Sequence, residues 1–233
     1  MKFLKALGIG EAPPSRPGKG IESIPEPSQA ILSFLLESYR DEKGIHAETI
    51  LGASGALCGY AAQRAVWVMM VEQQRTPLEQ VFTVVDTKDG SRFLFSELVN
   101  QLLVSEEGKV LSVWRLVRDM AVKCGAASLP DLQAIFARTA EAVGSTPFPR
   151  FSTPSNHRPL EEPAAALRRL WPSVGGALDR TCDVPVEWPI ITGFVASGLV
   201  AMTRNEFDSS IAATLIMESA VSMSKMTGIE PLH

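Results

Sequence analysis

The sequence predicts a mainly α protein: a multi-helix bundle with one small β-hairpin at about residues 81–95. Three observations lead there. Apolar residues recur at helical spacing through most of the chain. One stretch only, Val81–Val85 followed by Ser91–Phe95, has the β-branched and aromatic character of strands. Ten of the sixteen prolines fall between Pro13 and Pro27 or between Pro147 and Pro163, which leaves the rest of the chain free to be helical. The expected helix content is roughly 55–65%, far above the usual third.

Residues 1–27 read as a flexible tail. The first helix follows, with Ser28 as its cap and Ile31, Leu32, Leu35 and Leu36 on one face up to Tyr39. Asp41-Glu42-Lys43-Gly44 stops it, Gly44 supplying the left-handed turn.

His46–Gln74 has no proline and reads as one long helix. Its middle holds Gly52, Gly55 and Gly59 with Ala56 and Ala62, at helical spacing on one side. Each interior glycine costs about 1 kcal/mol against alanine, so the stripe needs a reason. Small side chains let a second helix approach closely, or leave room for a ligand. A phosphate-binding glycine loop would need a preceding strand, and none precedes Gly52-Ala53-Ser54-Gly55.

Thr76-Pro77 ends that helix. Val81–Val85 and Ser91–Phe95 form the hairpin around Asp86-Thr87-Lys88-Asp89-Gly90. A lone hairpin is marginal in water, so it must pack on helices or pair with a second subunit. Helices then run Glu97–Val104, Lys109–Lys123 and Asp131–Val143. These complete a helical body over residues 28–144. Residues 145–163 form a Pro-rich linker, with Phe148 and Phe151 able to pin it to the body. Residues 164–233 supply C-terminal helices that pack back on the body as one compact domain. Trp171-Pro172 interrupts the first of these. Trp188–Thr203 is nearly all apolar, and Asp208–Met226 is apolar around almost its whole circumference. Such a helix belongs in the centre of a core or at a subunit interface.

Composition excludes several functions. Net charge is −4 and the sequence pI about 5.5, which disfavours nucleic acid as a partner. Cys58, Cys124 and Cys182 are odd in number and far apart, as expected for reduced thiols in a cytoplasmic protein. Lys5 breaks the apolar run Phe3–Ile9, so no secretory signal is expected. The longest apolar run, between Pro189 and Met202, is about fourteen residues, short of the ~20 of a transmembrane segment.

His46-Ala47-Glu48 has the His-x-Glu form of zinc deaminases, but no Pro-Cys-x-x-Cys follows it. His46 and Cys58, twelve residues apart, would lie ~18 Å apart on one helix, too far for a shared ion. No metal site and no cofactor is expected. The remaining candidates for ligand binding are His46, Glu48, Arg64 and Glu218. Glu218 stands in an apolar helix, where a buried carboxylate must be paired or protonated. Contact with Arg64 or His46 would satisfy it, as a structural lock or as the polar floor of a ligand pocket. Catalytic residues are not identifiable.

His46-Ala47-Glu48-Thr49 leading into the glycines, Leu170-Trp171-Pro172, Glu187-Trp188-Pro189 and Met217–Lys225 together resemble a family of bacterial proteins of unknown function. The resemblance covers most of the chain from Ser28 and implies a bacterial cytoplasmic protein, with no activity attached. The expected function is association, through a homodimer or protein partners. The alternative is a small-molecule binder or enzyme with a pocket between the glycine-rich helix and the C-terminal helix.

Overall fold

The glycine-rich helix is the axis around which the other elements are arranged. The computed structural model describes residues 25–106 and 111–229, and the expected tail therefore lies almost entirely outside the described residues. Nine α-helices and one antiparallel hairpin are present among the described residues, the mainly α architecture expected.

Helix α1 spans Glu26–Tyr39 and starts earlier than Ser28. Pro27 lies in its first turn, where a fixed φ and a missing N–H cost nothing. Ser28 is instead buried and donates its hydroxyl to the Ile191 carbonyl at 3.1 Å. Asp41 and Gly44 exchange backbone hydrogen bonds, with Gly44 at φ 112°.

Helix α2 spans Ala47–Val66 and continues as a π-helical turn over Trp67–Gln73, so the long helix is present. Its most extensive packing is against the last two helices. Pro77 then opens a short helix, α3, at Leu78–Val81, which places Val81 in a helical turn rather than in the hairpin. The hairpin is β1 (Thr83–Asp86) and β2 (Arg92–Phe95), with Val84 opposite Leu94 and Val85 opposite Phe93. Phe93 and Leu94 are buried, and the Leu94 N–H donates to the Lys225 carbonyl at 2.8 Å. The chain after the last helix thus pins the hairpin to the body.

Helix α4 covers Glu97–Val104. Helix α5 covers Val113–Lys123, capped by the Ser112 hydroxyl, which accepts from the Arg115 N–H. The expected start at Lys109 lies outside the described residues. Gly125, at φ 82°, ends α5: the Ala126 N–H reaches the Ala121 carbonyl at 2.9 Å. Helix α6 covers Leu132–Ala142 behind an Asp131 cap.

The Pro-rich segment crosses the body as a strap. It leads into α7, Pro163–Thr181, which runs unbroken through Trp171-Pro172. The carbonyl that Pro172 leaves without a donor is Arg168's, and both residues face solvent. Burial of Leu167, Leu170, Trp171, Val174 and Leu178 on the opposite face holds the helix together. A 3₁₀ turn at Pro185–Glu187 then feeds α8 (Trp188–Thr203), and α9 (Ser209–Met223) closes the chain.

α9 is the centre of the core, with Leu215, Ile216, Met217, Ala220, Val221 and Met223 all buried. Its apolar circumference is therefore explained within one chain and needs no second subunit. The 3₁₀ turn extends the apolar segment before α8, making Pro185–Thr203 a 19-residue helical stretch. It is the one segment among the described residues long and apolar enough to cross a membrane, and 61% of its apolar window is buried inside the fold.

Candidate functional site

The buried carboxylate foreseen in α9 is present but has different partners. Glu218 is 2% exposed. It receives the Arg138 guanidinium from α6 at 2.7 Å and the Ser152 backbone N–H from the strap at 3.0 and 3.1 Å. It contacts neither Arg64 nor His46, and that expectation is corrected. Arg64 points the other way along α2, to Glu72 at 3.4 Å and over the Trp67 ring. The reason is geometric. Arg64 lies near the C-terminal end of α2, while Glu218 faces α6 and the strap. No feature of sequence marks Arg138, eighty positions upstream, or a backbone donor in a Pro-rich segment.

His46 and Glu48 do meet. His46 caps α2, its Nδ1 accepting from the Thr49 N–H at 3.3 Å and lying 2.8 Å from the Thr49 hydroxyl. The Thr49 oxygen in turn accepts the Leu160 N–H of the strap at 2.9 Å, so the Thr49 hydroxyl is free to donate to His46. That leaves the His46 Nε2–H facing Glu48 at 3.6 Å. The other Glu48 oxygen receives His157, also from the strap, at 2.9 Å. His157 belongs to the Pro-rich segment 145–163. The pair joins α2 to a segment more than a hundred residues away.

A third attachment follows. Tyr39 of α1 donates to Glu161 at 2.6 Å, and Arg169 of α7 grips the same carboxylate with two N–H groups at 2.7 and 3.1 Å. Burial alone would raise the Glu161 carboxyl, but the bonds from Arg169 and Tyr39 hold it below the ordinary glutamate range. Burial, and then Glu161, push the Tyr39 hydroxyl well above its ordinary value. Glu48 and Glu218 thus bond directly to the strap, while His46 caps α2 beside Glu48 with its side chain 41% exposed. A cleft of about 280 Å³ beside the strap is lined by Arg150, Phe151, Arg158 and Glu161.

The glycine face of α2 holds no ligand space. A Cβ added at Gly55 or Gly59 would run into the backbone of Ile216 or Ala220. At Gly52 it would meet the Pro159 ring of the strap at 2.9 Å. The stripe serves close packing of α9 and the strap.

Open space lies elsewhere. A groove of about 710 Å³ runs between α1, α5 and α8, within the 300–1,000 Å³ typical of ligand pockets. Phe194, Ser197, Gly198, Ala201 and Met202 line it from α8 at positions i, i+3, i+4, i+7 and i+8. Leu32 and Met120 face them, and Lys123, Cys124, Gly125 and Arg204 complete the lining. Sequence reading missed this groove. The stripe on α8 was a visible signal, but it stood inside a helix apolar on all sides.

Two buried groups complete the chemistry. Lys225, 2% exposed, donates to Asn100 at 2.8 Å between the Phe95 and Phe136 rings. Burial pulls its ammonium down to about 8. Burial pushes the Cys58 thiol up to about 12, and the Cys182 thiol also rises. Among the described residues no three His, Cys, Asp or Glu side chains are grouped to hold a metal ion. No protein family, curated protein or solved structure matches this chain.

Proposed function

We propose that the protein acts by binding, with the groove between α1, α5 and α8 as its binding surface. The observation that carries this reading is the uncovered face of α8. Most of the helix is buried in the core, yet Phe194 and Ala201 stay partly open and Met202 is exposed, over a floor of Ser197 and Gly198. An apolar recess of this size is the commonest setting for a bound guest. The strap residues, by contrast, are committed to each other. A cytoplasmic, bacterial setting fits the three unpaired cysteines and the resemblance described above.

Nile red, a neutral dye that brightens in apolar surroundings, tests the reading. The native protein should enhance its emission saturably, and Ala201→Trp, which fills the groove, should abolish the effect while the far-ultraviolet circular dichroism stays unchanged. Equal enhancement by both proteins would sink it.

Self-association over the same face is the second reading. Met202 is 53% exposed at the groove edge, and a homodimer would cover it. Sedimentation velocity across the micromolar range decides this. A dimer that Ala201→Trp dissociates would support it, and a monomer throughout would remove it.

A further inference from the structure

We infer that the guest of the groove is a monomeric amphiphilic anion, a carboxylate with an extended apolar tail. The inference rests on the binding reading above and adds a polarity to it.

The groove has two unlike ends. A Cβ built on Gly193, near the start of α8, would lie 2.9 Å from Leu116 and 3.5 Å from Val113, near the start of α5. Ser28 of α1 bonds to Ile191 at the same level. Beyond the far ends of α5 and α8, the Ala127 and Ser128 N–H groups bond to Asp208 and Ser210. The two helices therefore run side by side in the same direction. Leu32 and Phe194 mark the entry end, and Lys123 and Arg204 mark the exit end.

Both cations are uncommitted. Among the described residues neither Lys123 nor Arg204 makes an ion pair or a side-chain hydrogen bond. The last carbonyls of α5 do not need Lys123: Met120, Val122 and Ala121 already receive the Cys124, Gly125 and Ala126 N–H groups. The Asp208 carboxylate turns its Oδ1 to the N–H groups of Ala127 and Ser210 and to the Ser210 hydroxyl, and pairs with neither cation. Lys123 and Arg204 are both exposed, and two positive charges at one end of an apolar recess attract an anionic head. The same recess accepts an apolar tail along Met120, Phe194 and Met202. A head-to-tail match of this kind selects an amphiphile and orients it.

Calorimetric titration with dodecanoate, dodecanol and dodecyltrimethylammonium, each kept monomeric, tests the polarity. Dodecanoate should bind about tenfold or more tighter than dodecanol, and the cationic amphiphile weakest. Lys123→Gln combined with Arg204→Gln should bring dodecanoate to the level of dodecanol. Ala201→Trp, or alkylation of Cys124 by a bulky maleimide, should remove all binding, which keeps the test open if one blocked form fails to fold. Equal binding of acid and alcohol, unchanged in the double variant, overturns the anion while leaving the groove as a binding surface. No binding of any amphiphile, together with Nile red emission indifferent to Ala201→Trp, overturns both readings. Binding to anionic phosphatidylglycerol vesicles without binding of monomeric dodecanoate also overturns the inference and assigns the two cations to a membrane surface.

Discussion

Arg138 holds one carboxylate, and that carboxylate also holds the backbone of the strap. Removing the guanidinium leaves Glu218 buried with only the Ser152 N–H for company. Breaking one partner of a buried pair costs about 3–5 kcal/mol, and the half-open Arg138 side chain puts this case at the lower end. Arg138→Ala should therefore lower the urea-unfolding free energy by about 3 kcal/mol. Glu218→Gln retains an acceptor for Ser152 and should cost less, about 1–2 kcal/mol. Equal losses would mean that charge is not what matters there.

Lys225 gives a pH dependence of known sign. Its ammonium is pulled down by burial to about 8 in the fold, against 10.5 for the free side chain. Between those values the unfolded chain binds more protons, so stability rises with pH through that window. Below about 8 both states are charged and the full cost of burying the charge is present. Lys225→Met keeps the apolar stem between Phe95 and Phe136 and should flatten that rise in urea titrations at pH 8 to 10. Thiol titration offers a simpler check. Cys58 is fully buried and should react with a disulfide reagent only on unfolding, after the half-buried Cys124 and Cys182.

At the scale of the element, α2 and α9 decide the architecture. Their contact is so close that helix propensity and packing make opposite demands. Gly55→Ala or Gly59→Ala would gain about 1 kcal/mol in propensity. The added methyl meets the Ile216 or Ala220 backbone, which cannot move aside as a side chain can. Each variant should lose about 2 kcal/mol or more net. Gly176→Ala in α7 is the control: its methyl would meet only the flexible Arg180 guanidinium at 3.2 Å. That variant should be neutral or stabilised by up to about 1 kcal/mol, read as a shift in the urea midpoint.

The helices were legible because apolar spacing and stop signals are local. Gly125 and Asp131 sit where their chemistry requires, and the glycine stripe on α2 announced a close neighbour. What escaped was non-local. Nothing in the order of residues shows that the neighbour is α9, or that Pro159 fills the space over Gly52. Pro172 misled because a proline inside a helix is tolerated when the freed carbonyl faces water, and facing is set by tertiary packing. Val81 misled because a β-branched residue next to Pro77 can be taken into a helical turn. His46, Glu48 and Glu218 stood out by residue type and position as candidates for ligand binding, and the structure gives each of them neighbours within the protein. Their partners His157, Arg138 and Ser152 could not be read, because each comes from a distant segment.

For the whole molecule, the strap and the groove divide the labour. The strap uses charged and polar groups to close one side, through Glu218, Glu48, Thr49 and Glu161. The groove leaves an apolar recess between α1, α5 and α8, with two cations at one end. The apolar content noted in the sequence thus divides between a core filled by α9 and one recess beside α8.

The pairing of α2 with α9 also bears on how the chain is made. Gln63 bonds to the Ser224 carbonyl across 161 positions of sequence. During synthesis α2 leaves the ribosome well before α9 and waits for it while the segments between them are translated. Its Gly55 and Gly59 surface is uncovered for that interval, because a chain ending before Ser209 lacks the helix that packs there. Contacts of such range form late and slowly. A ribosome stalled before α9 would therefore present an unfinished apolar surface on α2.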